Sequence, residues 1–233
     1  RKQGVPEKLI PSQYEPFKTT FIKKYNRSTN YMYYLWPGVL SAVLQQVMLL
    51  ALALSFASEF ENGTFSQLVQ KSNSIVQMMS VKIIPYLVMS FGVWLIYWFF
   101  TFYFRIPFFT NLPQLTFVAG IFILSVSFIG ILVSILIPNQ LKATEILMVI
   151  ATPSFILSGF SWPLSQMPNW VQGVANIIPL THFLKAFRIL IIEEGTLSQV
   201  QNPIYNMIII GIVCAILSYI ALYFKSKKAL QST

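Results

Sequence analysis

Residues 155–195 read FILSGFSWPLSQMPNWVQGVANIIPLTHFLKAFRILIIEEG, and this stretch decides the fold. An apolar helical pattern reaches Ser158 and Gly159, and Pro163 and Pro168 follow before the chain has left a membrane in the ordinary way. Backbone broken by prolines at membrane depth is tolerated only where it is buried in protein or lines a wet cavity. The stretch therefore predicts a re-entrant or interfacial pair of helices rather than a simple span.

The second half of this stretch begins at Pro179 and carries three ionisable side chains. A helix there places His182, Lys185 and Arg188 at spacings of three, on neighbouring positions of one face. Lys185 and Arg188 either guide an anionic headgroup or hold an exit gate, or they serve only as snorkelling anchors. His182 is interpreted as an interfacial or hydrogen-bonded residue rather than a catalytic base. The predicted hairpin covers residues 160–194.

The composition places the chain among integral membrane proteins. Apolar residues make up 55% of it and charged residues only 10%, whereas a soluble domain carries about 25% charged residues. The net charge of +9 does not indicate nucleic acid, because many of the basic residues flank apolar segments and act there as topology signals and headgroup contacts. The lone Cys214 excludes a disulfide framework. We expect an all-α integral membrane protein.

Five apolar segments approach the length of about 20 residues that a membrane-spanning helix needs. They are residues 35–56, 83–104, 115–137, 146–160 and 204–224. The fourth is short and leads directly into the predicted hairpin. The chain begins with Arg1 rather than Met, so we expect a processed or partial chain that lacks one earlier span.

Basic residues in short loops predict the orientation of these spans. The lysines that mark the cytoplasmic side are Lys71, Lys82, Lys142, Lys225, Lys227 and Lys228. Five spans then place residues 1–30 outside, as the tail of an extracytoplasmic segment, and residues 31–233 form the transmembrane domain. The alternative is a basic cytoplasmic segment at 1–30 and one miscounted span.

The polar segment 58–80, SEFENGTFSQLVQKSNSIVQMMS, separates the first two spans. Thr64 is a candidate cap for a short helix whose apolar face includes Phe65, Leu68 and Val69. The segment is either a solvated loop or a short amphipathic helix that docks on a soluble partner.

Several function classes lack their sequence signals. No glycine is followed by lysine, so the phosphate-binding Walker A loop is absent and the chain cannot bind ATP by that route. The sequence contains no HExxH motif and no Cys/His cluster, so no catalytic residue, metal site or bound cofactor is expected. The second, third and fifth spans carry no ionisable residue, which disfavours an ion-coupled carrier.

Two polar residues lie in the middle of the first span. Gln45 and Gln46 either hydrogen-bond to a neighbouring helix or face a wet pathway, and helix packing is the preferred interpretation.

Three groups of residues recur as a set in one transporter family. The groups are Tyr25-Asn26 with Trp36-Pro37-Gly38-Val39; residues 59–68, EFENGTFSQL; and Leu157-Ser158-Gly159-Phe160 with Pro163, Met167-Pro168, Trp170, Asn176, Pro179-Leu180-Thr181 and Ala186-Phe187-Arg188. With them the chain resembles the membrane permease subunit of ABC type-2 transporters, the exporter branch, and the third group is the most specific. Asn62 stands where the family usually has glutamine or lysine, and the family's first span is not seen.

The resemblance implies a role for each region. Residues 58–80 would be the cytoplasmic coupling region, and the hairpin 160–194 would shape an extracytoplasmic exit. The residues it singles out are Glu59, Glu61, Gly63, Thr64 and Leu68 for coupling; Ser158, Gly159, Pro163, Pro168, Pro179, Lys185 and Arg188 for the hairpin; and Gln45 and Gln46 for a possible pathway.

The resemblance also implies partners and a location. Separate ATP-binding subunits would hold ATP and Mg, a second permease chain would complete the pathway, and the assembly would lie in a bacterial inner or plasma membrane. The alternatives are a non-transporting membrane scaffold that recruits partners through 58–80 and an intramembrane enzyme that uses His182. Lipids, glycolipids, drugs and peptides all remain open as substrates.

Overall fold

The computed structural model describes residues 31–72, 74–104 and 111–231, and these form helices and connecting turns without a strand. The long helices are α1 (Tyr31–Glu61), α3 (Ile75–Tyr103), α4 (Leu112–Leu136), α5 (Gln140–Leu157) and α8 (Gln201–Gln231); the short ones are α2 (Phe65–Lys71), α6 (Asn169–Ile177) and α7 (Pro179–Phe187). The chain continues from α7 into a π-helical turn, Arg188–Ile192. The predicted all-α membrane fold with about five spans is confirmed.

Capping residues explain why two helices begin earlier than the apolar segments predicted. The side chain of Ser74 accepts a hydrogen bond from Gln77 N, so α3 begins at Ile75 rather than near 83. Asn139 does the same for Lys142 N, so α5 begins at Gln140 rather than near 146. The added turn of α5 is mostly polar, and in α3 Gln77, Ser80 and Lys82 interrupt the added apolar residues, so neither addition continues an apolar run. The expectations for residues 1–30 lie outside the described residues.

Helix α4 lies at the centre of the bundle and packs against α1 and α8. A Cβ added to Gly130 would lie 2.7 Å from the Leu52 side chain, which shows how closely α4 approaches α1. The Ser134 hydroxyl accepts hydrogen bonds from Phe56 N (2.7 Å) and Ala57 N (2.9 Å) of α1. The small residues of α4 thus serve close helix contact.

Helix α3 packs more loosely than its neighbours. In the most apolar stretch of α3 only 11% of the residues are buried, whereas in that of α4 61% are. An apolar gap between Ile83, Phe128 and Tyr219 separates it from α4 and α8, and another lies between Phe91 and Gly120. Hydrogen bonds such as that from Tyr97 Oη to Leu40 O (3.1 Å) hold its far half to the bundle.

The helices run antiparallel and give the bundle two functional ends. We call one the polar end, where Glu59, Lys82, Gln140 and Lys225 lie together. We call the other the hairpin end, where α6 and α7 connect α5 to α8.

Candidate coupling site and hairpin

The polar end is built around a sharp turn between α1 and α2. The chain passes through Gly63, whose φ of +70° lies in the left-handed region that favours glycine, and no atom lies within 4 Å of an added Cβ. Beyond it, Phe65 is buried and its ring centroid lies 4.5 Å from that of Phe60. The glycine is thus needed for backbone conformation rather than for space.

The short helix α2 confirms one prediction and corrects another. Phe65 is buried and Leu68 and Val69 are half-buried, so the predicted apolar face exists. Thr64 occupies the cap position but makes no capping hydrogen bond. Its hydroxyl instead donates to the Glu59 carboxylate, a stronger acceptor than a neutral oxygen. The outer face of α2 is polar, with Gln67, Gln70 and Lys71 exposed.

Two glutamates of the segment 58–80 connect the end of α1 to two other helices. Glu59 Oε1 accepts from Lys82 Nζ of α3 at 2.5 Å, and this pair is about four-fifths buried. Glu61 Oε2 accepts from Gln140 N at the start of α5, at 2.9 Å. A carboxylate is favourable there because unpaired N–H groups give a helix N-terminus a partial positive charge.

Lys225 makes a third link at the polar end, which the sequence did not reveal. Its Nζ donates to Ile135 O at 2.5 Å and lies 4.0 Å from the centroid of the Phe60 ring. Ile135 is one of the last residues of α4. Carbonyl oxygens at the end of a helix have no N–H donor within that helix, so they accept from other groups. From the sequence, Lys225 is interpreted only as a topology signal. A count of charges cannot distinguish this half-buried lysine from the exposed Lys227 and Lys228.

At the hairpin end two glycines are closely packed: Gly159, where the chain leaves α5, and Gly38 of α1. Gly159 has a φ of +76°, and a Cβ there would lie 2.5 Å from Leu164 Cγ. Phe160 then packs on α1, where a Cβ at Gly38 would lie 2.5 Å from its ring. Ser158 is buried, and its hydroxyl donates to Phe155 O at 2.5 Å. Two of the motifs that carry the family resemblance therefore touch each other.

The prolines of the hairpin lie at the beginnings of helical segments. Pro163 and Pro168 immediately precede a 3₁₀ turn and α6, and Pro179 is the first residue of α7. A missing N–H costs little at these positions. Helices α6 and α7 meet at 89°, and neither reaches spanning length alone. The re-entrant path of residues 160–194 stays a prediction.

The three ionisable residues after Pro179 differ in exposure and do not form one exposed face. Arg188 is half-buried: Nη2 donates to Gly159 O at 3.0 Å, and the guanidinium lies 5.5 Å from the Phe160 ring. Lys185 is exposed. Arg188 therefore closes the hairpin on itself, whereas Lys185 faces outward.

His182 is buried and joins α6 to α8. Asn206 Nδ2 donates to its Nδ1 (3.4 Å), which assigns the proton to Nε2 and makes that nitrogen the donor to Asn176 O (2.8 Å). With both ring nitrogens engaged in the fold, the hydrogen-bonded interpretation of His182 fits the geometry.

Asn111 is a further hairpin contact that the sequence did not single out. Its Nδ2 donates to Leu190 O (2.7 Å) and to Gly195 O (3.1 Å), beside Glu194, whose φ is +54°. This side chain ties the return of the hairpin to the start of α4. Its sequence neighbours carry no pattern that would have indicated such a role.

Gln45 and Gln46 lie in different surroundings. Gln45 is buried, and among the described residues its Oε1 has no hydrogen-bond partner. Gln46 is half-buried on the neighbouring position.

Antiparallel apolar helices of spanning length, with a small polar-faced helix at one end and a broken helical pair at the other, define a multi-pass integral membrane protein. Residues 2–220 match the family described as ABC-2 family transporter protein. The chain belongs to this family.

Named relatives agree with this assignment. The "Probable multidrug ABC transporter permease YbhR" of Escherichia coli (strain K12) is 25% identical over 215 residues, covering 88% of this chain and 56% of that protein. The YbhS permease of the same organism is 26% identical over 70% of this chain and 44% of its own length. "ABC transporter G family member 20" of Dictyostelium discoideum is 26% identical over 74% of this chain and 24% of its own. The chain spans about half the length of the two bacterial relatives. No solved structure matches it significantly.

Proposed function

We propose that this chain is the membrane permease part of an ATP-driven ABC exporter. The observation that carries the proposal is the construction of the polar end. Helix α2 presents Gln67, Gln70 and Lys71 outward, while Glu59 and Glu61 connect its base to α3 and α5. A partner that presses on this small helix would therefore move several membrane helices together.

The ATP would be hydrolysed by a separate subunit. The sequence contains no glycine followed by lysine, so it has no Walker A loop of its own. ATP and Mg would bind to the partner, which would dock on the polar face of α2 from the cytoplasm. The lysines around this end, including Lys225 and Lys228, favour the cytoplasmic side of a bacterial cell membrane.

A second permease chain would complete the pathway. Helix α5 buries Ala143, Leu147 and Ala151 against the other helices of the bundle. Its opposite side exposes Glu145 and Thr152 among apolar residues. Polar side chains are costly toward lipid, so a protein partner or a water-filled path suits this face better. Gln46 on the adjoining α1 is half-buried and would lie near the same path.

The hairpin would enter the outer leaflet and shape the exit. Arg188 is committed to Gly159 O and holds the hairpin closed, so Lys185 is the residue that would contact an anionic headgroup. Cysteines at Ser165 and Gln172, in a Cys214→Ser background, should both react with an impermeant thiol reagent from outside. Reaction of either from the cytoplasmic side alone would contradict a re-entrant path.

Copurification followed by vesicle transport tests the function itself. In mild detergent the chain should copurify with a protein that has a Walker A sequence. Inverted vesicles that contain the complex should accumulate ethidium or a fluorescent phosphatidylethanolamine when ATP is added, and Gly63→Val with Glu59→Ala should abolish accumulation without loss of the chain. A stable complex without ATP-dependent movement of either probe would favour the membrane scaffold, and ATP binding by the purified chain alone would contradict the subunit assignment.

A further inference from the structure

The Lys225 ammonium group of α8 contacts α4 and α1 directly and reaches α2 through the Phe60 ring. It belongs to α8, donates to the carbonyl of Ile135 in the last turn of α4, and lies 4.0 Å from the ring of Phe60 in the last turn of α1. Phe60 in turn contacts Phe65, the first residue of α2. A cation beside an aromatic face and a helix C-terminus is attracted by both. The position of α2 is therefore tied to α8 through this lysine as well as through direct packing of the two helices.

Helix α8 continues from this contact to the hairpin without a break. The helix runs from Gln201 to Gln231, and Asn206 near its start donates to the Nδ1 of His182. At about 1.5 Å per residue, Asn206 and Lys225 lie about 28 Å apart along the helix axis. His182 lies in α7 and also donates to Asn176 O of α6. The N-terminal end of α8 is therefore connected to α7 directly and to α6 through His182.

We propose that Lys225 is a positioning residue that locks the coupling segment to α8, so that α8 carries the displacement of α2 to the hairpin through Asn206 and His182. The inference rests on the proposed function and goes beyond it, because it names one rigid element and its two contacts as the connection between the two ends. Lys227 and Lys228 come just after Lys225, beyond Ser226, and are exposed, and they supply the topology signal without this contact.

The test compares Lys225→Met with Lys227→Met in the complete complex with its ATP-binding partner. A single cysteine at Ser165, which is exposed at the hairpin, reports its state in a Cys214→Ser background through the rate of labelling by an impermeant maleimide. In the parent and in Lys227→Met, ATP with vanadate should change that rate. In Lys225→Met the change should shrink by about tenfold, within the range of coupling between two distant sites, while ATPase activity persists.

Two further variants separate positioning from folding. Lys225→Arg should keep the response, because a guanidinium also donates to a carbonyl and stacks on a ring. Phe60→Leu keeps an apolar side chain but removes the aromatic face, and should lose the response as Lys225→Met does. If Lys225→Met does not reach the membrane, the comparison of Lys225→Arg with Phe60→Leu decides the proposal. Equal changes of the labelling rate in these two variants would overturn it.

Amide hydrogen exchange gives a readout that does not depend on transport. Backbone amides of Phe65–Lys71 should exchange about tenfold faster in Lys225→Met than in Lys227→Met, because the local opening of α2 loses its tether. Unchanged exchange would overturn the inference. If the parent complex shows no nucleotide response at the hairpin but α2 exchanges faster in Lys225→Met, the proposed function fails while Lys225 still positions the segment.

Discussion

Side-chain hydrogen bonds occur at both the polar end and the hairpin end of this bundle, and the two ends differ in the contacts that accompany them. At the polar end, charged side chains such as Glu59 and Lys82 pair between helices, and their contacts are partly open to solvent. At the hairpin end, backbone and rings meet where Gly38 faces Phe160 and Gly159 faces Leu164. Ionic contacts at a water-accessible surface can exchange partners at small cost, whereas close packing tolerates no added volume. The polar end is therefore suited to move, and the hairpin end to hold its shape.

Adding one methyl group to the hairpin should have the largest effect on stability. Gly159→Ala should destabilise the fold by about 3 kcal/mol, since left-handed backbone strain adds to a clash with Leu164. The midpoint of thermal unfolding in detergent, followed by size-exclusion fluorescence, measures the effect. Gly120→Ala is the matched control, because nothing lies within 4 Å of an added Cβ there. Equal midpoints for the two variants would show that the hairpin end is not tightly packed.

The hydrogen bonds of Asn111 should be the next most important. Asn111→Ala leaves Leu190 O and Gly195 O without this donor, which should cost about 2 kcal/mol. We expect a lower thermal midpoint and faster amide exchange over residues 189–195. Asn202→Ala, an exposed residue near the same end, is the control and should behave like the parent. No difference between the two would remove Asn111 from the hairpin's support.

Position 63 requires glycine only for its backbone conformation, in contrast to the crowded position 159. With φ at +70° and open space around it, Gly63→Ala should cost about 1 kcal/mol. Gly63→Asn should come closer to the parent, because asparagine adopts the left-handed region more readily than alanine does. Thermal midpoints of the three proteins measure this order. A cost for alanine as large as that at Gly159 would mean that the polar end is also sterically closed.

The ion pair of the polar end should contribute least to stability. A double-mutant cycle of Glu59→Gln and Lys82→Met should give a coupling energy of about 0.5–1 kcal/mol, because about a fifth of each side chain remains exposed to solvent. The same variants should nevertheless reduce ATP-dependent transport strongly. A large coupling energy with unchanged transport would reverse the roles assigned to the two ends.

The sequence predicted those parts of the molecule that depend on one segment at a time. The apolar runs predicted the five spans, and the prolines after Gly159 predicted the broken helices. The polar segment 58–80 left a solvated loop and a short helix open, and the structure has the helix α2 there. Apolar periodicity and helix-breaking residues are local signals, so a single sequence reveals them.

The contacts between distant segments could not be predicted in this way. Asn111 and Leu190 are far apart in the chain, as are Lys225 and Ile135, and no periodicity relates such pairs. Thr64 shows a related failure: its type and position indicated a cap, but a nearby carboxylate competed for its hydroxyl. Charge counting likewise placed Lys225 with its neighbours, although burial separates them.

The loose seating of α3 has a consequence for the bilayer itself. The gaps beside Ile83 and Phe91 are apolar and open, so acyl chains of the surrounding lipid would complete the packing that other side chains provide elsewhere. The hydrocarbon is then a component of this fold as much as its solvent. Membranes of different tail length and saturation would accordingly set how tightly α3 rests on the bundle, and with it the ease with which Lys82 follows Glu59.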